Sequence, residues 1–199
     1  MIYDCLYWYF TSAISKKDCQ KIIKAGFSKT IKKGTIMTMN PKKLSKNDIS
    51  ILKKIRKSTC SFLYEKWIYD LLHKYVSIAN RDAGWNYTLT HSEGTQFTIY
   101  NKNNFYDWHQ DATVINRETK LSRKISCVVN LSDPKDYKGG ELQFCAPVPG
   151  KKDKIYTAKE IMPQGSIAVF TASTWHRVTP ITKGLRYSLV NWTNGEHIK

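Results

Sequence analysis

The stretch "GSIAVFTASTWHRVTPITKGLRYSLVNW", residues 165–192, contains three short runs that are rich in Val, Ile, Phe, Tyr and Leu. Small, polar or turn-forming residues separate these runs at 172–174 and at 180–184. Short β-type runs with turn signals between them at close spacing are typical of an antiparallel sandwich or barrel. The stretch therefore predicts strands at 166–171, 175–179 and 185–193.

The same texture begins after residue 84, where it predicts six more strands: 85–90, 94–101, 105–110, 123–131, 140–145 and 155–161. Before residue 85 the pattern is mainly helical. "SAISKKDCQKIIKAGF" contains the suitable N-cap Ser15, and "YEKWIYDLLHKYVSIAN" repeats apolar residues at helical spacing. Between them, residues 28–47 indicate strand pieces and loop. We therefore expect one mostly β domain over 1–199, with 1–84 as a helical support region and 85–199 as the β core.

The composition is that of a folded and strongly basic chain. Of the 199 residues, 41% are hydrophobic, which is enough for a sizeable core and argues against a disordered chain. Lys and Arg number 32 against 16 Asp and Glu, and the net charge of +16 favours acidic partners such as nucleic acid or anionic peptides. Because the lysines are scattered, a solvated basic surface is the simpler interpretation.

The cysteines and the apolar segments bear on location. Five cysteines lie far apart without a Cys-x-x-Cys pair, which predicts neither a disulfide framework nor a zinc knuckle and favours a reducing compartment. The start "MIYDCLYWYF" lacks the basic region of a secretion signal, and no apolar run approaches the ~20 residues that cross a bilayer. We expect a cytoplasmic protein without a membrane partner, whose oligomeric state the sequence does not predict.

A histidine and an aspartate stand one residue apart in "NNFYDWHQDAT", residues 103–113. His109 and Asp111 point to the same side of a strand, where they form either a hydrogen-bonded pair at the strand edge or two ligands of a metal. His176, in a strand-like run, is the best third ligand. Two imidazoles and one carboxylate form the facial triad of non-haem Fe(II) oxygenases, which leaves three coordination positions open. The other histidines are poorer candidates: His73, His91 and His197.

An arginine strengthens the metal interpretation. Arg186 follows His176 by ten residues, and Gly184 marks a turn between them. A hairpin or a neighbouring strand would bring the guanidinium back beside the metal. A dicarboxylate that chelates a metal at one end needs a cationic, bidentate partner at the other, and arginine is the residue type suited to that task.

The spaced combination of His109, Asp111, His176 and Arg186 resembles the Fe(II)/2-oxoglutarate-dependent oxygenase superfamily, and more closely its prolyl 4-hydroxylase-like branch. The resemblance also covers "DCQKIIKAG", "QFTIYNKNNFYDWHQDA" and "RKISCVVNLSDPKDYKGGELQF", so that it samples about half of the chain. It implies a double-stranded β-helix, or jelly roll, with supporting N-terminal helices. This fold agrees with the strand pattern described above.

The resemblance assigns roles residue by residue. His109, Asp111 and His176 would bind Fe(II), and Arg186 would pair with the C5 carboxylate of 2-oxoglutarate. Further residues would contact this co-substrate: Tyr100, Trp192 and Asn130. Others would contact the substrate: Arg123, Tyr106 and Trp108. The segment "RKSTCSFLYEKW" would form a strand over the mouth of the site, with Arg56 and Trp67 near the substrate.

The implied activity is that of a dioxygenase that consumes Fe(II)-activated O2 and 2-oxoglutarate, with ascorbate as a candidate reductant, and hydroxylates an unactivated C–H bond. A peptidyl proline is the favoured substrate. A free amino acid or another small molecule, a nucleic acid, and a non-catalytic jelly-roll binder stay open as alternatives. Trp192 occupies the position where nucleic-acid demethylases of the superfamily carry a second arginine, which disfavours nucleic acid. A pure binder would have no use for all four metal and co-substrate residues.

Overall fold

The computed structural model describes residues 5–35, 45–112, 118–148 and 150–196. The helices are α1 (Lys16–Phe27), α2 (Lys46–Ile55) and α3 (Lys66–Asp82). The first strands are β1 (Trp8–Phe10), β2 (Lys32–Lys33), β3 (Arg56–Lys57), β4 (Thr59–Leu63), β5 (Leu89–Ser92), β6 (Thr95–Tyr100), β7 (Phe105–His109) and β8 (Leu121–Asn130). The later strands are β9 (Tyr137–Gly139), β10 (Leu142–Ala146), β11 (Lys154–Thr157), β12 (Ile167–Thr171), β13 (Trp175–Val178), β14 (Ile181–Gly184) and β15 (Arg186–Glu196).

The strands form two main antiparallel sheets. The large sheet has the order β1-β12-β8-β15-β6-β4-β2, and β5 pairs with the far part of β15. The small sheet has the order β11-β10-β13-β7-β3, while β14 and β9 form a separate pair. Val128 and Phe170 of the large sheet share one core with Phe144 and Val178 of the small sheet, so the two sheets face each other. The predicted mostly β jelly roll with supporting helices is confirmed.

Alternation along the central strand β8 separates the helix side of the large sheet from its inner side. Ile125, Cys127 and Val129 belong to the core that also holds the buried stripes of α1 and α3. The residues between them, Ser126 and Val128, point towards the small sheet. The helices therefore cover the back of the large sheet and leave its inner face for side chains that could carry chemistry.

Local sequence signals account for the two predicted helices. The backbone N–H of Asp18 donates to Ser15 Oγ at 3.1 Å, which caps α1 as its sequence predicts. In α3 the fully buried side chains recur every three or four residues and form one apolar stripe: Ile68, Leu72, Val76 and Ala79. None of the helices within the described ranges combines the length and the apolar character that crossing a bilayer requires.

Helix α2 and several strand limits differ from the predictions. Ser45 and Asp48 cap α2 reciprocally, but only Leu52 of this helix is buried, whereas Ile49 and Ile51 are exposed. The first 84 residues also supply β1 to β4, which extend both sheets. The predicted strand 85–90 begins later, at Leu89, because Asn86 has a positive φ of 49°. The predicted strand 155–161 is too long, since a 3-10 turn at Lys159–Ile161 buries Ile161.

Gly165 makes a close approach that other residues cannot make. Its φ is +80°, and a Cβ at this position would overlap the carbonyl oxygen of Ile14, whose N–H donates to Gly165 O at 2.9 Å. We expect Gly165→Ala to lower the free energy of unfolding by about 3 kcal/mol, measured by urea denaturation. Gly84→Ala is the matched control. Gly84 has a φ of +71°, but a Cβ added there would have no atom within 4 Å apart from its chain neighbours. Gly84→Ala should therefore lose only the backbone strain of about 1 kcal/mol. Equal losses in both variants would contradict the role of the Ile14 contact.

Candidate metal centre

Strand pairing brings three donor side chains together on the inner face of the small sheet. His109, the last residue of β7, is the register partner of His176 in β13, and the two ring centroids lie 4.1 Å apart. Asp111 follows β7, where its backbone N–H donates to Ala172 O at 2.9 Å. The possible ligand atoms of the three side chains all lie within 4.8 Å of one another. Within the described residues this is the one group of its kind.

A β-bulge in β7 orients the first imidazole. His109 pairs with His176 and Tyr106 pairs with Val178, so that three steps along β7 correspond to two steps along β13. Asp107 and Trp108 therefore both stand opposite Arg177. The irregular backbone also brings the carbonyl oxygen of Asp107 within 2.7 Å of His109 Nδ1.

Hydrogen bonds on the remote side of each donor fix its orientation. Nδ1 of His109 donates to the Asp107 carbonyl, and Nδ1 of His176 donates to the Thr174 carbonyl at 2.9 Å. Both imidazoles therefore present the lone pair of Nε2 to the centre, as metal-binding histidines do. Nε2 of His109 lies 3.8 Å from Asp111 Oδ1, and Nε2 of His176 lies 3.4 Å from Asp111 Oδ2.

Electrostatics prepare the same three groups for a cation. Burial, with the neighbouring His176 imidazole, lowers the pKa of His109 below its ordinary value. Burial alone would raise the pKa of Asp111, but the two imidazoles and the Ser126 hydroxyl hold it below the usual range. At neutral pH the site thus offers an unprotonated His109 imidazole and an ionised Asp111 carboxylate, the protonation states that coordination requires. Two imidazoles and one carboxylate suit Fe(II).

Ser126 of β8 is a positioning residue that the sequence did not indicate. Its hydroxyl donates to Asp111 Oδ2 at 2.8 Å and so restrains the carboxylate. We expect Ser126→Ala to weaken metal binding by about ten- to a hundredfold, the usual cost of losing such an outer partner, as measured by Mn(II) titration. Ser61→Ala is the control, because buried Ser61 donates to Gly26 O at 2.8 Å far from the centre. Unchanged Mn(II) affinity in the Ser126 variant would refute this role.

Arg186 lies in the same pocket as the three donors. It is only 2% exposed and pairs across the sheet with Tyr100, whose ring centroid lies 5.6 Å from the guanidinium carbon. Its Nη1 has no hydrogen-bond partner among the described residues. A buried guanidinium with an open N–H is costly unless an anion reaches it, so the pocket fits the remote carboxylate of a metal-chelating dicarboxylate. Burial raises the pKa of Tyr100, which keeps its hydroxyl available as a donor beside this arginine.

Tyr106 and Trp108 lie on opposite sides of the small sheet. The ring of Tyr106 stacks on His109 with centroids 3.5 Å apart and lines the pocket. Trp108 is outside the pocket, where the guanidinium carbon of Arg177 lies 4.6 Å from its ring. The structure therefore brings Tyr106 to the metal centre, whereas Trp108 faces away from it.

Trp192 and Arg123 form one wall of the pocket mouth. The guanidinium carbon of Arg123 lies 4.0 Å from the Trp192 ring, and its Nε donates to Glu93 at 2.7 Å. The indole Nε1 of Trp192 is buried and makes no hydrogen bond of normal geometry within the described residues. Glu93 stands in the connection between β5 and β6, and nothing in its local sequence indicated this long-range contact.

Asn130 and Trp67 are not brought to the pocket. The amide of Asn130 donates to the carbonyls of Ser132 and Met162, at 3.1 and 2.6 Å, and so ties the end of β8 to neighbouring turns. Trp67 lies on α3, where Lys21 Nζ approaches its ring to 4.0 Å.

Arg56, by contrast, lies beside the pocket, with its guanidinium carbon 4.6 Å from the ring of Tyr106. His73 is in α3 and His91 is in β5, and neither belongs to the donor group. His197 is outside the described residues.

The comparisons with curated proteins agree with this geometry. A PKHD-type hydroxylase of Synechococcus sp. (strain JA-2-3B'a(2-13)) is 37% identical over 82 residues, which cover 41% of this chain and 34% of the relative. A PKHD-type hydroxylase of Xylella fastidiosa (strain 9a5c) is 30% identical over 105 residues, which cover 49% of this chain and 42% of the relative. The matches thus span less than half the length of these relatives.

The solved structures share the fold over nearly the whole chain. A viral collagen prolyl hydroxylase from Paramecium Bursaria Chlorella virus-1, in complex with 2OG, has a TM-score of 0.65 at 17% identity and covers 96% of this chain and 97% of its own. A prolyl hydroxylase from Trichoplax adhaerens, in complex with a hypoxia inducible factor peptide fragment, has a TM-score of 0.61 at 16% identity and covers 94% of this chain and 83% of its own.

The family comparison covers the part of the chain that carries the site. The sequence model of the 2OG-Fe(II) oxygenase superfamily matches residues 95–194, half of the chain, and this range includes all three donors and Arg186. The superfamily predicted from the residue spacing is therefore confirmed. The protein belongs to the 2OG-Fe(II) oxygenase superfamily and shares the fold of its prolyl hydroxylases.

Proposed function

We propose that the protein is an Fe(II)- and 2-oxoglutarate-dependent dioxygenase that hydroxylates an unactivated C–H bond of a peptidyl substrate, with proline as the favoured target. One observation carries the proposal. A buried group of two imidazoles and one carboxylate shares its pocket with a guanidinium that has an open N–H. Enzymes that use a metal-chelating dicarboxylate need both parts in one enclosure.

Three side chains would hold the metal, and a fourth would hold the co-substrate. His109, Asp111 and His176 would bind Fe(II) through Nε2 and a carboxylate oxygen, and would leave three positions open. Arg186 would pair with the remote carboxylate of 2-oxoglutarate, and Tyr100 would donate to the same group. When bound, Fe(II) and 2-oxoglutarate supply the oxidising chemistry that couples co-substrate decarboxylation to C–H hydroxylation.

The remaining walls of the pocket exclude water and orient the reactants. Val128, Leu142 and Val190 line it with aliphatic surface, which lowers the local dielectric around the charged groups. Tyr106 stacks on His109 and restrains the plane of that imidazole. The chain's own contribution is therefore position and shielding.

The mouth of the pocket supports a peptidyl substrate. Phe62 of β4, which is 42% exposed, is the register partner of Gln96 on the pocket side of the large sheet, and Trp192 lies across the same face. Aromatic walls of this kind accept the rings of an extended, proline-rich segment. Arg56 is buried, and its Nη2 has no partner among the described residues, so this N–H could meet a peptide carbonyl. Arg123 and Glu93 would border the same segment.

The proposal is tested by co-substrate turnover with defined peptides. Purified protein with Fe(II), 2-oxoglutarate and O2 should form succinate in proportion to a proline-rich peptide that gains the mass of one oxygen atom. A matched peptide with alanine in place of proline should stay unmodified. Stimulation by an oligonucleotide or a free amino acid, but by no peptide, would contradict the peptidyl assignment and favour the corresponding alternative.

Three finer points stay predictions and can be examined in the same preparation. Ascorbate as a reductant predicts that turnover declines faster in its absence. The single-domain organisation over 1–199 predicts one cooperative unfolding transition. A cytoplasmic location predicts that the protein is recovered with cytoplasmic markers after cell fractionation.

A further inference from the structure

The outer face of the small sheet carries a group of exposed and half-buried side chains that the proposed chemistry does not use. Cys145 of β10 is the register partner of both Ile155 of β11 and Trp175 of β13. In the next row, Gln143 is the partner of Arg177, whose guanidinium carbon lies 4.6 Å from the Trp108 ring. We call this surface the outer patch, and it comprises six residues: Trp108, Gln143, Cys145, Ile155, Trp175 and Arg177.

The outer patch is unusually apolar for a surface. Ile155 is 49% exposed and Trp175 is 42% exposed, although both are large hydrophobic residues. Their inward neighbours are fully or nearly fully buried, for example Phe144 and His176. Exposed apolar side chains on both sides of half-buried Cys145, with Trp and Arg among the neighbouring residues, are characteristic of interaction surfaces.

The charges around the outer patch select an acidic partner. The turn before β11 and the strand itself expose three lysines against one aspartate: Lys151, Lys152, Lys154 and Asp153. Arg177, whose Nε donates to Gln143 at 2.8 Å, adds a cation at the other side of the apolar row. A second copy of this chain would bring the same positive charge, and the net charge of +16 opposes such pairing. Lys154 on the edge strand β11 also opposes strand addition, so a partner would bind through side chains across the face.

The outer patch and the metal centre are two faces of the same strands. Trp108 and Trp175 immediately precede His109 and His176 in the chain. A polypeptide whose target residue enters the pocket would reach the outer patch by passing the rim of the small sheet. We propose that the outer patch is a docking site for an acidic segment, rich in Asp or Glu and aliphatic residues, that flanks the target residue of a polypeptide substrate. The proposal rests on the peptidyl activity proposed above.

Binding is measured first, without turnover. A fluorescein-labelled, proline-free peptide of alternating glutamate and leucine should bind the protein in fluorescence anisotropy, and more weakly at high salt. The double variant Ile155→Ser/Trp175→Ser should raise the Kd at least about tenfold. The double variant Lys151→Glu/Lys152→Glu should raise the Kd of the acidic peptide by a comparable factor, although it leaves the apolar side chains of the outer patch unchanged. Tyr9→Ser is the matched control, because Tyr9 is an apolar residue that is 47% exposed on β1, outside the outer patch. The Kd of the acidic peptide for this variant should change less than about twofold.

Turnover then links docking to the substrate. Joining the acidic segment to a proline-rich peptide should lower the KM about tenfold relative to the proline-rich peptide alone. This should occur for the wild-type protein and not for the double variant Ile155→Ser/Trp175→Ser, with kcat unchanged.

Equal binding of a lysine–leucine peptide, or an unchanged Kd of the acidic peptide in both double variants, would overturn the proposal. So would a dimer in sedimentation velocity that Trp175→Ser dissolves, since the face would then be a self-interface. Retained binding of the acidic peptide without modification of any peptide would instead overturn the peptidyl activity.

Discussion

Asp111→Ala is expected to abolish turnover, with a loss in kcat/KM of at least about a thousandfold, because removing a ligand should exceed the ten- to hundredfold cost of losing an outer partner. The variant loses the only carboxylate of the donor group. Mn(II) titration should show the loss of metal binding directly, and succinate formation should show the loss of chemistry. Removal of the buried carboxylate also takes away the oxygen atoms that lie 3.8 Å from Nε2 of His109 and 3.4 Å from Nε2 of His176.

Asp107→Ala is the matched control for this result. Asp107 lies four residues earlier and is exposed, and its side chain accepts a hydrogen bond only from the N–H of Trp108 among the described contacts. Its backbone carbonyl, which positions His109, remains in the variant. Metal affinity and turnover should therefore stay near the wild-type values. Turnover that survives in Asp111→Ala would remove the metal interpretation of the whole donor group.

Arg186→Met is expected to raise the Kd for 2-oxoglutarate by at least about 30-fold, because losing one partner of a buried charge pair costs about 2–5 kcal/mol. Metal binding should change little, since Arg186 is not one of the three donors and forms no ion pair with Asp111. The sign of the stability change is a second test. Without co-substrate the buried guanidinium has an open N–H, so methionine should leave the free energy of unfolding unchanged or slightly higher.

Arg177→Met is the control for the arginine, because Arg177 lies on the outer face of the same sheet and should leave 2-oxoglutarate affinity unaltered. Isothermal titration with the Mn(II)-loaded protein under anaerobic conditions measures both variants without turnover. Equal affinity of wild type and Arg186→Met would show that another group binds the remote carboxylate.

The spacing of a few residues predicted the superfamily, and it did so because the donors follow the period of a β-strand. His109 and Asp111 are two residues apart and project together, and the ten residues from His176 to Arg186 span one strand and one turn. Functional residues that are separated by short spacings in regular strands can be predicted from a sequence. The residues that support them are harder to predict, since Ser126 lies 15 residues from its partner Asp111 and Glu93 lies 30 residues from its partner Arg123.

Irregular backbone limited the prediction of the substrate-facing residues. Strict alternation from His109 would turn both Tyr106 and Trp108 away from the pocket. The extra residue in β7 returns Tyr106 to the pocket side and leaves Trp108 outside. Asn130 is on the inner side of β8, as its position suggests, but backbone carbonyls occupy its amide. A bulge or a tertiary hydrogen bond of this kind has no local signature.

The β-bulge in β7 makes the metal centre sensitive to the length of this strand. Deleting either Asp107 or Trp108 would restore regular pairing, so Tyr106 and His109 would still project to one side of the sheet. The deletion would remove the irregular carbonyl that tethers His109, whereas His176 would keep its own tether in the turn at Thr174. Shortening this strand by one residue would thus loosen one imidazole of the pair and weaken metal retention, although every ligand would still be present.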